Sequence, residues 1–190
     1  MELTTLFGTL GTLGTLAIAL PLTTQAATFT LESPDVGPGA PIANTFVFRG
    51  FGCEGDNLSP ALAWQNAPAG TRSFALTVYD PDAPTGSGFW HWVVTNLPAT
   101  TTSLPRGAGS ADGSRLPQGT VQFRTDFGTP GYGGPCPPVG HGDHRYIFTI
   151  HALKVDRLDV PADATAAMVG FNLHFNTLAK ASFTARYGRK

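Results

Sequence analysis

Two apolar segments joined by a short acidic turn constrain the fold of this chain more than any other feature. In residues 73–79 and again in residues 89–96, apolar side chains recur along most of the run. This pattern indicates two β-strands with both faces largely covered. Pro81 and Pro84 lie in the turn between them, and each fixes its own φ and restricts the residue before it. The carboxylate of Asp80 is therefore expected to sit at a stiff strand end.

The composition favours a single domain of strands and ordered loops. The chain has 190 residues, of which 13% are charged and 42% are hydrophobic, with 23 glycines and 16 prolines. That length supports one hydrophobic core, and the apolar content excludes a disordered chain. A net charge of −1 gives no basic surface for nucleic acid.

The remaining pattern predicts a mainly β fold with one helical cover. Residues 144–153 form the clearest additional strand, with His144, Tyr146, Phe148 and Ile150 on one face. Residues 159–180 are the one good helix candidate, because large apolar side chains repeat there at helical spacing: Met168, Phe171, Phe175 and Leu178. Shorter strands are predicted at 28–32, 45–49, 61–64, 121–124 and 182–187. The expected architecture is a β-sandwich with long loops rich in proline and glycine.

The N-terminal segment has the pattern of an export signal. Residues 6–22 are uncharged and mostly apolar, and a short polar stretch leads to Ala26 and Ala27. This order is typical of a signal peptide, although the first residues include Glu2 and no basic side chain. We expect a signal peptide over 1–26, a mature domain over 27–190 and a periplasmic or secreted protein. An uncleaved anchor is the alternative.

The two cysteines form an even pair. In an oxidising compartment Cys53 and Cys136 are expected to form a disulfide. In the chain-entropy model, a disulfide that closes a loop of this length raises the free energy of unfolding by about 4–5 kcal/mol. The alternative is a zinc site in which His141 and His144 join Cys136.

Four polar residues are candidates for one binding site. His144 and Tyr146 are two apart on a predicted strand and can face one cavity. Asp80 ends one strand of the opening pair, and His91 begins the other. Imidazolium and phenol groups donate hydrogen bonds, and loop amides at 133–134 could add donors. This set predicts a site for a small anion.

The same residues leave other interpretations open. Two histidines with a carboxylate could ligate a mononuclear iron or zinc, and Asp80 with Asp82 could bind a hard cation. Each histidine could instead be satisfied by a nearby carbonyl group. Nucleophilic catalysis has less support, since the chain lacks a G-x-S-x-G motif.

Four long motifs also resemble a known family. They are DPDAP at 80–84, GFWHWVVTNLP at 88–98, GYGGPCPPVG at 131–140 and HRYIFTIHAL at 144–153. Together they resemble the phosphatidylethanolamine-binding protein family, also called the Raf-kinase-inhibitor-like family, and in particular its bacterial YbhB/YbcL branch. The likeness extends over nearly all of residues 28–187.

The resemblance implies a β-sandwich with a pocket for phosphate or a phosphorylated headgroup. The family lacks an established catalytic activity and a cofactor, and its eukaryotic members bind kinases or act as scaffolds. The positions that carry over to the pocket are Asp80, His91, His144, Tyr146, Pro138, Gly134 and Cys136. Cys136 stands where eukaryotic relatives tend to have glycine. The chain ends soon after Tyr187, so the C-terminal helix of animal members is expected to be missing.

The expected function is therefore that of an exported, non-enzymatic protein that binds a small anion and could modulate a protein partner. One alternative is an inhibitor or interaction module for an enzyme or host protein. Another is a metal-dependent hydrolase using Asp80, His91 and His144. No cofactor and no nucleic acid are expected, and a homodimer stays open.

Overall fold

A computed structural model of the chain describes residues 1–2 and 27–190. The predicted signal peptide lies almost wholly outside the described residues. The α-helix of the described chain is α1, Ala166–Asn176. Within these residues no helix is long and apolar enough to cross a membrane. The strands are β1 Thr30–Glu32, β2 Arg49–Gly50, β3 Cys53–Glu54, β4 Leu62–Gln65, β5 Ser73–Asp80, β6 Phe89–Pro98, β7 Ser103–Leu104, β8 Val121–Gln122, β9 His144–Leu153 and β10 Thr177–Tyr187.

The strands form a sandwich, as predicted. A five-stranded sheet has the order β10-β9-β5-β6-β8, and a three-stranded sheet has the order β1-β4-β7. All pairings within both sheets are antiparallel. The inner faces of the two sheets bury a continuous apolar core, which includes Leu62, Trp64, Leu104, Leu76, Phe148 and Ile150. β2 and β3 form a separate hairpin.

The central position of β5 and β9 follows from their sequences. Alternate side chains of β9 are buried in the inner core, and the others face the outer side of the sheet. Part of that outer side is covered by α1, which packs Val169 and Leu173 against Ala75, Val93 and Leu153. Both faces of the central strands are therefore occupied, as their apolar sequences indicate.

The helix differs from the predicted 159–180 segment. It begins after Thr165, whose hydroxyl accepts a hydrogen bond from the backbone amide of Met168, and it ends where β10 begins at Thr177. The apolar residues that predicted the helix lie mainly on its exposed side, since Met168, Phe171 and Phe175 are all exposed. The buried side is made by smaller residues, which a search for large apolar side chains overlooks.

The predicted strand at 45–49 is also wrong over most of its length. Residues Asn44–Phe46 form a turn of 3-10 helix, and the extended pairing starts only at Arg49. Phe46 and Val47 are nevertheless buried, so the apolar residues serve the core without joining a sheet. The remaining predicted strands are present within two residues of their predicted bounds, except that β10 begins at Thr177, five residues before the predicted start.

Candidate functional site

The candidate site is a small cavity at the end of the five-stranded sheet, where β5 ends and β6 and β9 begin. Its volume is about 160 Å³, which is below the roughly 300–1,000 Å³ of pockets for drug-sized ligands. Its lining includes no lysine or arginine among the described residues. The lining residues are Phe51, Asp80, Ala83, Pro84, Thr85, Phe89, His91, Phe127, Cys136, Pro137, Pro138, His144 and Tyr146.

A β-bulge in β6 brings His91 to this cavity. Val78 pairs with Trp92, but Tyr79 pairs with Trp90, so His91 is an extra residue opposite β5. Regular alternation predicts His91 on the same face as Val93, which packs on the outer side of the sheet. Bulges redirect side chains in this way and recur beside functional sites.

The His91 side chain is held by the glycine-rich loop. Its Nδ1 atom lies 2.7 Å from the carbonyl oxygen of Gly133, and its ring meets that of Tyr146 edge to face at 5.1 Å. Burial lowers the pKa of His91 to about 4, although the Gly133 carbonyl and the charge of Asp80 act in the opposite direction. His91 is therefore a neutral imidazole near pH 7.

His144 is the middle of a chain of hydrogen bonds that runs from the buried Asp80 to the exposed His141. Its Nδ1 lies 2.7 Å from Oδ2 of Asp80, and its Nε2 lies 2.7 Å from Nδ1 of His141. Asp80 and His144 are both almost fully buried. With both ring nitrogens engaged, His144 serves to fix the wall of the cavity in this arrangement and has no free donor to offer a ligand.

Tyr146 is the least satisfied polar residue of the site. Its side chain is buried, and its hydroxyl has no hydrogen-bond partner within the part of the chain that the structure describes. Burial raises the pKa of Tyr146 well above its ordinary value, so the phenol keeps its proton. An unpartnered buried hydroxyl costs about 1–3 kcal/mol. Tyr146 is one of the residues that line the cavity.

The acidic turn is rigid, as its prolines indicate. Oδ1 of Asp80 accepts a hydrogen bond of 2.8 Å from the amide of Asp82. The Asp82 carboxylate accepts from both the backbone amide and the guanidinium of Arg145 at the start of β9. The hydrogen bond to Arg145 lowers the pKa of Asp82 to about 2. Asp82 therefore ties the turn to β9 and does not line the cavity.

The opposite wall is the loop that carries Cys136, and the predicted disulfide to Cys53 is present. Cys136 and Pro138 line the cavity, but Gly134 does not. The amide of Gly134 donates to Oδ1 of Asn57, and a Cβ atom there would lie 2.1 Å from the carbonyl oxygen of Phe46. Gly134 thus lets the loop lie directly on the 44–48 segment.

The residues do not converge as metal ligands. No group of three histidine, cysteine, aspartate or glutamate side chains among the described residues is placed to hold a metal ion. The sulfur of Cys136 is in the disulfide, which overturns the zinc alternative. The metal-dependent hydrolase is likewise unsupported, since the Nδ1 atoms of His91 and His144 both bond to other protein groups.

Several residues at the site were missed from the sequence. Asn57, far from every motif, anchors the glycine-rich loop through its side-chain amide. Phe127 contacts Phe89 and Phe48, and Phe51 stands 73% exposed at the mouth of the cavity. No spacing rule marks these residues, because they come from loops that meet only in the folded chain.

Comparison with known proteins identifies the family of the chain. A family model described as phosphatidylethanolamine-binding protein matches residues 32–188. The UPF0098 protein YbhB of Escherichia coli is 57% identical over 157 residues, covering 83% of this chain and 98% of that protein. The UPF0098 protein YbcL of the same organism is 52% identical over 163 residues, covering 86% and 89%.

Solved structures give the same result. The crystal structure of E. coli YbcL has a TM-score of 0.84 at 51% identity, and the match covers 86% of this chain and 100% of that one. A homologue from Chlamydia trachomatis, CT736, has a TM-score of 0.70 at 28% identity and covers 85% and 98%. The chain therefore belongs to the phosphatidylethanolamine-binding protein family.

Proposed function

We propose that this protein is a non-enzymatic binding protein whose cavity takes a small anion, either phosphate or a phosphorylated headgroup. The observation that carries the proposal is the buried hydroxyl of Tyr146, a residue of the cavity wall, which lacks a partner among the described residues. Such a group is costly unless a ligand accepts its hydrogen bond.

The size and stiffness of the cavity support the same ligand class. A volume of about 160 Å³ suits a headgroup and excludes a large metabolite. The walls are fixed before a ligand arrives, by the Asp80–His144 hydrogen bond on one side and by the disulfide on the other. Preformed walls lower the ordering cost of binding. The family description also names a phospholipid headgroup.

The test is a titration with inorganic phosphate, followed by NMR of His91 and Tyr146 and by the melting temperature. Saturating phosphate is expected to shift the resonances of both residues and to raise the melting temperature. The variant Tyr146→Phe should lose most of this response. The matched control is Tyr79→Phe, whose hydroxyl bonds to the carbonyl of Ser87 away from the cavity. If saturating phosphate leaves the native protein unchanged, the proposal fails.

We also propose that the protein is exported, on the basis of the apolar segment before Ala27 and the disulfide. Fractionation of the native host combined with mass spectrometry of the mature N-terminus tests this. A chain found in the cytosol with residues 1–26 still attached would refute it.

A second candidate function is an interaction module, and the exposed side of α1 favours it. Phe171 and Phe175 pack edge to face at 5.1 Å, and both are exposed together with Met168 and Leu178. Large apolar side chains grouped on a surface are typical of protein contacts. Sedimentation of native protein and of Phe171→Ser, each with and without phosphate, tests the module. If the protein is a monomer at every protein concentration and binds no partner protein, the interaction module is contradicted.

A further inference from the structure

A second cavity lies on the outer face of the five-stranded sheet, beside α1. Its volume is about 530 Å³, within the roughly 300–1,000 Å³ of pockets for small molecules. None of the described residues lines both this cavity and the candidate site. Its volume and its separate lining make it a candidate for a ligand of its own.

The cavity exists because α1 covers only part of the sheet. The buried side of the helix packs against the end of the outer face that contains Ala75. Farther along β5 and β9, Thr77 pairs with Thr149 and Tyr79 pairs with Ile147. These four side chains line the cavity, and three of them are only half-buried. A ligand placed there would remove this part of the sheet from water.

Two aromatic rings form one end of the cavity. Tyr79 pairs with Trp90 across β5 and β6, and their ring centroids are 4.5 Å apart. The Tyr79 hydroxyl donates a hydrogen bond of 2.8 Å to the carbonyl oxygen of Ser87, which fixes the ring. Both rings line the cavity, and Ile147 adjoins Tyr79 on β9. This end therefore offers an apolar surface of fixed shape to an aromatic or aliphatic group.

The other end of the cavity is positively charged. Lys180 lies on β10 opposite His151, and it forms no ion pair within residues 27–190. His151 is a neutral imidazole near pH 7, because burial and, to a smaller extent, the charge of Lys180 lower its pKa to about 4. Among the described residues the lining includes no aspartate or glutamate. One permanent cation without a carboxylate favours a ligand with a single negative charge.

The register of the sheet gives the distance between the two ends. Lys180 pairs with His151 and His151 pairs with Ala75, so Tyr79 lies two strands and four residues away from Lys180. With about 4.8 Å between strands and about 3.3 Å per residue, the Cα atoms of Lys180 and Tyr79 are roughly 16 Å apart. The two side chains span part of this distance. A ligand that meets both ends is therefore elongated, with its charge at one end and its apolar body at the other.

A glycine in the middle of α1 keeps the helix side of the cavity open. Gly170 lines the cavity, and a Cβ atom there would meet no described atom within 4 Å. Glycine is less favourable than alanine in a helix interior, and no described neighbour requires it here. The missing side chain leaves space for a ligand beside Leu173, which also lines the cavity.

We propose that this cavity is a second binding site, for an elongated amphiphilic carboxylate. The carboxylate pairs with Lys180, and the apolar body lies against Tyr79 and Trp90 beside Gly170. A straight-chain carboxylate and an arylalkanoate share this chemistry. The site is independent of the anion site proposed above, so either can fail without the other.

The indole N–H resonance of Trp90 reports on this cavity in NMR titrations, because Trp64 and Trp92 are fully buried in the core. The probes are 4-phenylbutyrate, octanoate, 4-phenylbutyramide and butyrate. Both longer carboxylates are expected to shift the Trp90 signal with a Kd on the order of 1 mM, as suits ligands of this size. The tighter of the two identifies the preferred apolar body.

The two remaining probes each lack one of the required features. The amide has no charge and should bind about 3- to 10-fold more weakly than 4-phenylbutyrate. Butyrate has no extended body and should bind about 10- to 100-fold more weakly. If neither longer carboxylate shifts the Trp90 signal at about ten times the expected Kd, the proposal is overturned. An amide that binds as tightly as the carboxylate overturns it as well.

Competition with phosphate separates this site from the one proposed above. Saturating phosphate should leave the titration of Trp90 by 4-phenylbutyrate unchanged, because the two cavities have different linings. If phosphate displaces 4-phenylbutyrate, the carboxylate occupies the other cavity and there is no second site. If phosphate fails to bind while 4-phenylbutyrate binds, the second site stands and the proposed function fails.

A pair of lysine variants tests the positive end. Lys180→Met keeps the length of the side chain and removes its charge, so the affinity for 4-phenylbutyrate should fall about 3- to 10-fold while that for the amide is retained. The matched control is Lys154→Met, at an exposed lysine that does not line the cavity. Equal losses in the two variants would show an effect of net charge alone and would overturn the proposal.

A substitution at the helix tests the position of the apolar body. Gly170→Leu places a side chain in the cavity and should weaken binding of 4-phenylbutyrate by about 10-fold or more. The melting temperature should stay the same or rise, because leucine favours a helix more than glycine does. Native affinity in this variant would contradict the proposal. If the variant does not fold, the comparison of Lys180→Met with Lys154→Met decides.

Discussion

His91 and His144 are both buried, and their partners give them different roles. His144 bonds to a carboxylate on one side and to His141 on the other, so it is part of the framework. His91 bonds to the carbonyl of Gly133 in the glycine-rich loop, and it lines the cavity. Their presence in the same cavity could be predicted from the sequence. Their division of roles could not, because it depends on the atom that each nitrogen meets.

The Asp80–His144 bond is expected to matter more for stability than an exposed ion pair does. Asp80→Asn keeps the shape of the side chain but removes its charge, and it should lower the free energy of unfolding by about 1–3 kcal/mol. The matched control is Asp56→Asn, whose pair with Arg49 is exposed and should change stability by about 0.5 kcal/mol or less. Urea unfolding measures both. Equal losses of unfolding free energy in the two variants would show that the buried bond stabilises the protein no more than the exposed ion pair does.

One buried histidine, His91, and one half-buried histidine, His151, make stability depend on pH. Burial lowers the pKa of both His91 and His151 from 6.5 to about 4. Between these values the unfolded chain binds more protons than the folded one, so the free energy of unfolding rises with pH and falls as the pH is lowered through this window.

The His151→Gln variant measures one part of this dependence. Removing one such histidine should reduce the slope of unfolding free energy against pH by at most about 1.4 kcal/mol per pH unit. His174→Gln, a change at an exposed histidine, is the control and should leave the slope nearly as it is. Denaturant unfolding between pH 4 and 7 provides the measurement. An unaltered slope in His151→Gln would contradict the effect of burial.

At the scale of elements, the sequence predicted strands better than the links between them. The bounds of β9 match the prediction. The bulge at His91 could not be predicted, since an extra residue in a ladder is a property of two paired strands and not of one sequence. The candidate residues were therefore identified while their geometry was not.

The helix shows the opposite error, because local spacing predicted too long an element. The regular spacing of large apolar residues continues through Leu178, which already belongs to β10. The real start is set by the Thr165 cap, and the real end by pairing of the following residues with β9. Tertiary pairing overrides helical spacing at this boundary.

The Thr165 cap can be tested directly. Thr165→Ala removes the acceptor of the Met168 amide and should cost about 1 kcal/mol of stability. Thr102→Ala, at an exposed loop threonine, is the control and should have little effect. Thermal unfolding compares the two variants. Equal melting temperatures would mean that packing of Val169 and Leu173 alone sets the start of the helix.

At the scale of the whole molecule, one covalent bond joins distant parts of the chain at the cavity. Cys53 and Cys136 are 83 residues apart in sequence, and their Cα atoms lie 6.0 Å apart. The bond attaches the β2–β3 hairpin to the loop that forms one wall. The pairing could be predicted from the residue count and the export signal, and its place beside the pocket from the family resemblance, which puts Cys136 there.

Loss of this bond should affect both stability and binding. The double variant Cys53→Ala/Cys136→Ala is expected to lose about 2–5 kcal/mol of unfolding free energy. Phosphate affinity should also fall, since the wall formed by Pro137 and Pro138 loses its attachment. Denaturant unfolding and phosphate titration of the double variant test both effects. If the double variant is destabilised but binds phosphate with the affinity of the native protein, the disulfide is not needed for binding.

Because this bond lies at the cavity, we expect the site to reach its final form only when folding and the oxidation of Cys53 and Cys136 are both complete. Thiol oxidation is a chemical event that depends on the compartment, so the environment of synthesis determines whether the cavity reaches its final form. The same polypeptide made in a reducing cytosol is expected to have a less rigid cavity. Oxidation of the two cysteines after synthesis is expected to make the cavity rigid. The phosphate affinity measured for this protein is therefore expected to depend on whether the two cysteines of the sample are oxidised or reduced.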